Sequence, residues 1–99
     1  MPTTHDYYDD PRNKDIKIFI NGNFFHRNEA KISVMDSGFL LGDGVWEGIR
    51  LNNGKLLHFD KHIERLYNGA RLLALDIHLS KDEIEQAIMD TLKINGMKS

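Results

Sequence analysis

The apolar residues follow a period of two near the N-terminus and a period close to 3.6 in the second half of the chain. Between residues 16 and 20, isoleucines alternate with other residues, and Asn21-Gly22 follows directly. Such alternation is typical of a β-strand, and Asn-Gly is the strongest short signal for a two-residue hairpin turn. The pattern predicts one hairpin over residues 16–26. Asn53-Gly54 predicts a second, joining a strand over 45–51 to one over 55–59.

The first helical stretch follows the second hairpin. Asp60 is a suitable N-cap residue, and the apolar residues after it recur every three or four positions. They predict a helix with one apolar face, made of Ile63, Leu66, Tyr67, Ala70, Leu73 and Ala74.

A second helix is predicted from Ser80. Ser80 and Glu83 have the spacing of a capping box, and Leu79 and Ile84 that of a hydrophobic staple. Gly96 is suited to end this helix. The predicted buried face consists of Ile84, Ala87, Ile88 and Leu92.

The order of these elements indicates the fold class. Strands come first and helices second, which predicts an α+β fold with a small antiparallel sheet built from hairpins and two helices packed on one face. Residues 1–14 are polar and without a period, so we expect a flexible N-terminal arm, and residues 15–99 form the domain. Residues 36–38, Asp-Ser-Gly, are predicted to form a turn.

Composition narrows the class of protein. A chain of 99 residues with 40% hydrophobic and 28% charged residues suits one small globular domain. The net charge of −2, without Lys and Arg clusters, gives no nucleic-acid surface. Without cysteine or paired histidines we expect no metal site. No apolar run is long enough for a membrane span and no signal peptide is visible, so we expect a cytoplasmic protein.

One face of the strand predicted over 45–51 could line a binding pocket. Gly48 lies inside that strand and shares a face with Trp46 and Arg50. A strand glycine often marks the close approach of a ligand or another backbone. An aromatic side chain, bare backbone and a cation suit a substrate with an apolar group and a carboxylate. The alternative is that Trp46 belongs to the core and Arg50 is a solvated charge.

Arg65 has two interpretations. An arginine beside an apolar helix face is usually a surface residue whose stem covers apolar neighbours. Its guanidinium could instead bind a phosphate, since its fork of donors matches phosphate oxygens. We expect the nearby His62 to be structural or solvated.

The two motifs together resemble a known family. Gly42-Asp43-Gly44-Val45-Trp46-Glu47-Gly48-Ile49-Arg50, followed by His62-Ile63-Glu64-Arg65-Leu66, is similar to the N-terminal domain of class IV, or fold-type IV, pyridoxal-phosphate-dependent aminotransferases. That family includes branched-chain and D-amino-acid aminotransferases and aminodeoxychorismate lyase. The resemblance runs from about Ile16 to Gly96.

The resemblance implies a cofactor, substrates and site residues. It implies that Arg65 binds the phosphate of pyridoxal 5'-phosphate. It also implies a substrate pocket for an amino acid and a 2-oxo acid, with contacts from Leu41, Trp46, Gly48 and Arg50. Leu41 and Trp46 differ from the residues usual in branched-chain enzymes, so the substrate stays open. The resemblance further implies a homodimer or higher self-association.

The catalytic residue of the family is not matched in this chain. The Schiff-base lysine of the family lies in a second domain, and the lysines here occupy no equivalent position. We therefore expect an N-terminal half that is inactive alone. Two alternatives remain: a lyase of the same fold, and a non-catalytic interaction module if the chain is naturally complete.

Overall fold

The computed structural model describes residues 10–99. Residues 1–9, most of the predicted N-terminal arm, lie outside the described residues. In the rest of that arm, Pro11–Asn13 forms a single 3-10 turn. The carboxylate of Asp10 caps this turn by accepting a hydrogen bond from the backbone N–H of Arg12 at 2.9 Å. The flexibility of the arm stays a prediction.

The predicted first hairpin is confirmed. Strands β1 (Lys17–Ile20) and β2 (Asn23–His26) pair in antiparallel register. Asn21 and Gly22 join them with φ values of 50° and 89°. Two central residues with positive φ make a type I′ turn, whose twist matches that of the flanking strands.

The second hairpin is shorter than predicted. It consists of β3 (Leu51–Asn52) and β4 (Lys55–Leu56), joined by Asn53 and Gly54 with φ values of 50° and 77°. The prediction of a strand from residue 45 is wrong for residues 45–50, which have no strand partner within residues 10–99. The α+β class is confirmed, and the two hairpins form separate two-stranded sheets.

The turn predicted over residues 36–38 is wrong, because these residues open a short helix. Helix α1 (Ser37–Leu41) begins after Asp36, whose carboxylate accepts a hydrogen bond from the Gly38 N–H at 2.9 Å. Gly42 ends the helix at a φ of 70°. Aspartate serves equally as a turn residue and as a helix N-cap, so the sequence pattern fits both.

Helix α2 (Phe59–Leu72) begins one residue before the predicted cap. His58 is the N-cap residue, at a φ of 55° and without a capping side-chain bond. Asp60 instead lies in the first turn and forms an ion pair with Lys81. An acidic residue is favourable in the first turn, where the helix dipole is positive, and Asp60 meets that requirement without acting as the cap.

Helix α2 also ends earlier than predicted. Leu73 and Ala74, predicted to belong to its apolar face, lie beyond the helix and are exposed. Ala74 has a φ of 55° and donates to the Arg71 carbonyl at 3.1 Å, while Leu75 donates to the Ala70 carbonyl at 2.8 Å. These two bonds form a Schellman motif, which turns the chain away from the helix axis.

Helix α3 (Lys81–Ile94) confirms its predicted start and end. Glu83 N–H donates to Ser80 Oγ at 3.1 Å, and Ser80 N–H donates to Glu83 Oε1 at 3.0 Å, which completes the capping box. Gly96 follows the helix at a φ of 62°. The predicted apolar face of α3 lies towards β1. With Phe19, Leu79 and Thr91, its residues Ile84, Ala87, Ile88 and Leu92 line an apolar hollow of about 310 Å³.

The core is small. Among residues 10–99, the buried apolar side chains are Phe59, Ile63 and Ala70, and all three belong to α2. Several large apolar residues outside this core are exposed. On α1 and the segments around it they include Ile32, Val34, Met35, Phe39, Leu40, Leu41 and Trp46. None of the helices in the described part of the chain has the length and hydrophobicity needed to cross a membrane.

Candidate functional site

Along the segment 45–50, side chains alternate between a solvent-exposed side and a partly buried side. Trp46, Gly48 and Arg50 are exposed, whereas Val45, Glu47 and Ile49 are partly buried. The predicted alternation is therefore present, although the segment is unpaired. It follows Gly42, which ends α1 in the left-handed conformation.

A glycine of α2 allows this segment to approach the helix. A Cβ added at Gly69 would lie 3.1 Å from Val45 Cγ1, which is closer than an ordinary contact. The absent side chain therefore leaves the room that the Val45 side chain occupies. This packing against a helix takes the place of the strand pairing predicted for the segment.

Glu47 joins the segment to α2 through a paired carboxylate. Both of its oxygens accept hydrogen bonds from Arg65, from Nε at 2.5 Å and from Nη2 at 2.6 Å. His62 Nδ1 lies 3.1 Å from Glu47 Oε2. Bonds from Arg65, and then from His62, lower the pKa of Glu47 from 4.5 to about 2, so this carboxylate is charged at neutral pH.

The pair differs strongly in exposure. The Glu47 side chain is only 6% exposed, whereas that of Arg65 is 74% exposed. An arginine has five N–H donors, and Glu47 occupies the side of the guanidinium that carries Nε. Within residues 10–99, Nη1 has no hydrogen-bond partner. The far edge of Arg65 is therefore available to an acceptor from solvent.

Arg65 belongs to a basic hollow on the first turns of α2. The hollow measures about 260 Å³ and is lined by His58, Lys61, His62 and Arg65. Lys61 and Arg65 are four residues apart and so lie on the same face of the helix. Because all four lining residues are basic and carry N–H donors, the donor set suits a phosphate group.

A second hollow lies on the other side of Arg65. It measures about 340 Å³ and is lined by Val45, Trp46, Glu47, Arg65, Leu66 and Gly69. Trp46 is 85% exposed and gives this hollow an aromatic wall. The structure thus brings together Arg65 and Trp46, two of the residues that the sequence predicts for the site.

The other predicted residues lie apart from this hollow. Leu41 ends α1 and is exposed. A Cβ added at Gly48 would lie 3.7 Å from the Trp46 ring, an ordinary contact, so the conformation there does not require glycine. Arg50 carries an exposed side chain, and its carbonyl accepts a hydrogen bond from Leu57 N–H at 2.9 Å. Roles for these three residues in substrate binding stay predictions.

Sequence reasoning missed Glu47, His62 and Gly69 as parts of the site. The alternation correctly placed Glu47 on the inner face, but its partner lies 18 residues further along the chain. No local spacing signals such a pair. The contact of His62 with Glu47 depends on the same long-range approach. In the described part of the chain, no group of three metal-ligating side chains comes together.

Comparison with known proteins identifies relatives that match most of the chain. The family described as amino-transferase class IV matches residues 44–99, more than half of the chain. A putative branched-chain-amino-acid aminotransferase of Methanocaldococcus jannaschii is 43% identical over 83 residues, covering 84% of this chain and 29% of that protein. The D-alanine aminotransferase of Staphylococcus haemolyticus is 39% identical, with the same coverage.

Solved structures of aminotransferases are also similar to this chain. A branched-chain amino acid aminotransferase complexed with N-(5'-phosphopyridoxyl)-L-glutamate, from the organism abbreviated T.th., matches with a TM-score of 0.77 and 34% identity, over 87% of this chain and 30% of that one. The enzyme of Thermoproteus uzoniensis, with norvaline, matches with a TM-score of 0.76 and 31% identity, over 86% of this chain and 30% of that one. The chain spans about 30% of the length of its relatives. Sequence, fold and family match agree that this chain belongs to the class IV aminotransferases.

Proposed function

We propose that this chain is the N-terminal part of a pyridoxal-phosphate-dependent aminotransferase that acts on an amino acid and a 2-oxo acid. The observation that carries the proposal is the fixed guanidinium of Arg65, whose far edge borders a basic hollow. The names of the relatives support either a branched-chain or a D-amino-acid substrate. The two departures at Leu41 and Trp46 leave that choice open.

Arg65 is the proposed ligand of the cofactor phosphate. Its guanidinium keeps its charge at every working pH and can offer parallel N–H donors to phosphate oxygens. Lys61, His58 and His62 line the same hollow and can offer further N–H donors to a phosphate. Pyridoxal phosphate, when bound, supplies the electron sink for amino-group transfer.

The exposed face of segment 45–50 is the proposed substrate wall. Trp46 offers an apolar surface beside the hollow that contains Arg65. Gly48 leaves the backbone open to a close approach, and Arg50 offers a cation for a substrate carboxylate. Leu41, the last residue of α1, precedes this segment in the chain and is proposed as a further apolar contact to the substrate.

Completion of the site requires residues outside this chain. The resemblance to class IV aminotransferases implies that the lysine which holds the cofactor comes from a second domain. It also implies a homodimer, and the exposed apolar residues of α1 and its neighbours support association with further protein surface. A cytoplasmic location stays a prediction.

Two other functions are compatible with the same N-terminal domain. A lyase of the same fold would use the same phosphate ligand, so only the reaction product separates it from an aminotransferase. A non-catalytic interaction module is favoured by the exposed apolar surface alone. It would need neither the basic hollow nor Arg65.

The first test is a titration of this chain with pyridoxal 5'-phosphate, followed by ³¹P NMR. We expect weak binding, with a further loss of about tenfold in Arg65→Ala, since a charge-assisted contact to phosphate is removed. Pyridoxal without phosphate should bind equally to both proteins. Arg71→Ala is the matched control, because Arg71 is exposed on the same helix and lies outside the basic hollow.

Equal affinity of the original chain and Arg65→Ala for pyridoxal 5'-phosphate would reject Arg65 as its ligand. The reaction class needs a separate assay, on a protein that joins this chain to a second domain with the lysine. Repeated turnover that converts an added amino acid to its 2-oxo acid, while an added 2-oxo acid is converted to the matching amino acid, identifies an aminotransferase. Repeated release of pyruvate from aminodeoxychorismate, with no 2-oxo acid added to accept an amino group, identifies a lyase.

A further inference from the structure

We propose that Glu47 is the positioning residue that holds Arg65 in the orientation needed to bind phosphate. This inference rests on the proposed function, in which Arg65 binds the phosphate of the cofactor. It adds a residue for which the sequence predicts no role, since Glu47 lies on the face opposite to Trp46, Gly48 and Arg50.

The guanidinium of Arg65 has one edge bound to Glu47 and a second edge that faces away from it. Glu47 takes the Nε and Nη2 donors, with both carboxylate oxygens engaged at 2.5 and 2.6 Å. The planar shape of the guanidinium then fixes the direction of the remaining N–H groups, since all five donors lie in one rigid fork. The second edge points away from Glu47 and can meet a phosphate in a fixed direction.

Burial shows which partner is the anchor. The Glu47 side chain is almost wholly buried, and His62 provides a second contact to one of its oxygens at 3.1 Å. The Arg65 side chain is mostly exposed, and its long stem would otherwise sample many rotamers. The buried carboxylate therefore restricts the exposed arginine, and the cost of ordering Arg65 is met before an anion arrives.

The negative charge of Glu47 also acts against a phosphate, so the two effects must be weighed. Glu47 contacts the edge of Arg65 opposite to the proposed phosphate, and charges separated by an exposed side chain are screened by water and salt. Loss of the fork is the larger effect, because a glutamine has only one acceptor oxygen and turns a donor towards an Arg65 N–H. We therefore expect Glu47→Gln to weaken phosphate binding even though it removes a repulsive charge.

The test is a double-mutant cycle on cofactor binding. The dissociation constant of pyridoxal 5'-phosphate is measured by ³¹P NMR for the original chain, Glu47→Gln, Arg65→Ala and the double variant. We expect Glu47→Gln to weaken binding about fivefold to tenfold, and to have no further effect once Arg65 is absent. Such coupling is expected only if Glu47 acts through Arg65, since a general loss of structure would lower affinity in both backgrounds.

A second measurement covers the case in which Glu47→Gln unfolds. The Nε–H of Arg65 in the original chain should give a downfield, slowly exchanging NMR signal, assigned by its loss in Arg65→Lys. Glu47→Asp keeps the charge and shortens the reach by one methylene, and we expect it to weaken both that signal and cofactor binding. A rapidly exchanging Nε–H in the original chain would overturn the proposal without any variant.

The outcomes also separate this inference from the proposed function. If Arg65→Ala binds the cofactor as well as the original chain, then Arg65 is not the phosphate ligand and both proposals fail. If Arg65→Ala loses affinity while Glu47→Gln keeps or gains it, then Glu47 does not position Arg65. In that case the function stands and Glu47 acts only as an opposing charge.

Discussion

The side-chain amide of Asn95 pairs with the main chain of Lys17 as a neighbouring strand would. Asn95 Oδ1 accepts from the Lys17 N–H at 2.7 Å, and Asn95 Nδ2 donates to the Lys17 carbonyl at 2.9 Å. Asn95 is the C-cap residue of α3, and Lys17 begins β1. One side chain thus joins the end of the last helix to the edge of the first hairpin.

Replacement of Asn95 by alanine should destabilise the chain. Three partly buried hydrogen bonds are lost, two to Lys17 and one to the Thr91 carbonyl, and each contributes about 0.5–1.5 kcal/mol, so we expect a loss of about 1.5–4 kcal/mol. Urea unfolding followed by circular dichroism at 222 nm measures it. Asn52→Ala, at an exposed position of β3, is the control, and an equal loss in both variants would contradict a special role for Asn95.

Ala74 and Gly96 occupy the same position in two Schellman motifs and should respond in opposite directions. Both have positive φ, at 55° and 62°. The left-handed conformation strains an L-residue by roughly 1–2 kcal/mol. A glycine lowers the free energy of unfolding by about 0.4–1 kcal/mol, because it increases the conformational entropy of the unfolded chain. We expect Ala74→Gly to stabilise by about 0.5–1 kcal/mol and Gly96→Ala to destabilise by a similar amount. Thermal unfolding of the two variants checks the signs, and a loss in Ala74→Gly would show that its backbone is relaxed.

Gly69→Ala should separate stability from cofactor binding. The new Cβ would press on Val45 Cγ1 at 3.1 Å, while alanine favours the helix by about 1 kcal/mol. Segment 45–50 has no strand partner among the described residues, so it can shift. We expect stability to change by less than about 1 kcal/mol and the affinity for pyridoxal 5'-phosphate to fall, because Glu47 moves with the segment. The double variant Val45→Ala/Gly69→Ala removes the contact and should restore affinity.

The stability of the chain should fall between pH 5 and pH 2, in part through Glu47. Bonds from Arg65 and His62 depress the pKa of Glu47 in the folded chain from 4.5 to about 2. A depressed pKa stabilises the fold above the unfolded value and loses that contribution as the pH falls towards the folded value. Glu47→Gln has no such titration, so its stability should depend less on pH in this window. Parallel pH dependences in the two proteins would contradict the assignment.

The sequence predicts the features that neighbouring residues encode. Asn21-Gly22 and Asn53-Gly54 form hairpin turns, Ser80 and Glu83 form a capping box, and Gly96 ends α3. In each case the partners are at most a few residues apart, so the backbone has few alternatives. The wrong prediction at residues 36–38 also rests on a local signal, but that signal is ambiguous, because an aspartate suits both a turn and a helix start.

The candidate site depends on longer-range contacts. The alternation in residues 45–50 predicted which side chains share a face, and the structure has that alternation. The segment packs on a helix rather than on a strand, and Gly69 leaves the room that Val45 occupies there. Nothing near Glu47 in sequence indicates that its carboxylate meets Arg65, and nothing near Asn95 indicates Lys17, 78 residues away. These contacts follow from how the elements pack.

Because the core is small, the stability of the chain depends on whether other protein surfaces cover its exposed apolar residues. The three buried apolar side chains of residues 10–99, all from α2, cannot contribute what a larger core does, while α1 and its neighbours leave apolar side chains in water. A protein surface that covers α1 binds only the folded state and so stabilises it by mass action. With the proposed self-association, the midpoint of thermal unfolding should rise with protein concentration, because folding and assembly would then be one coupled equilibrium.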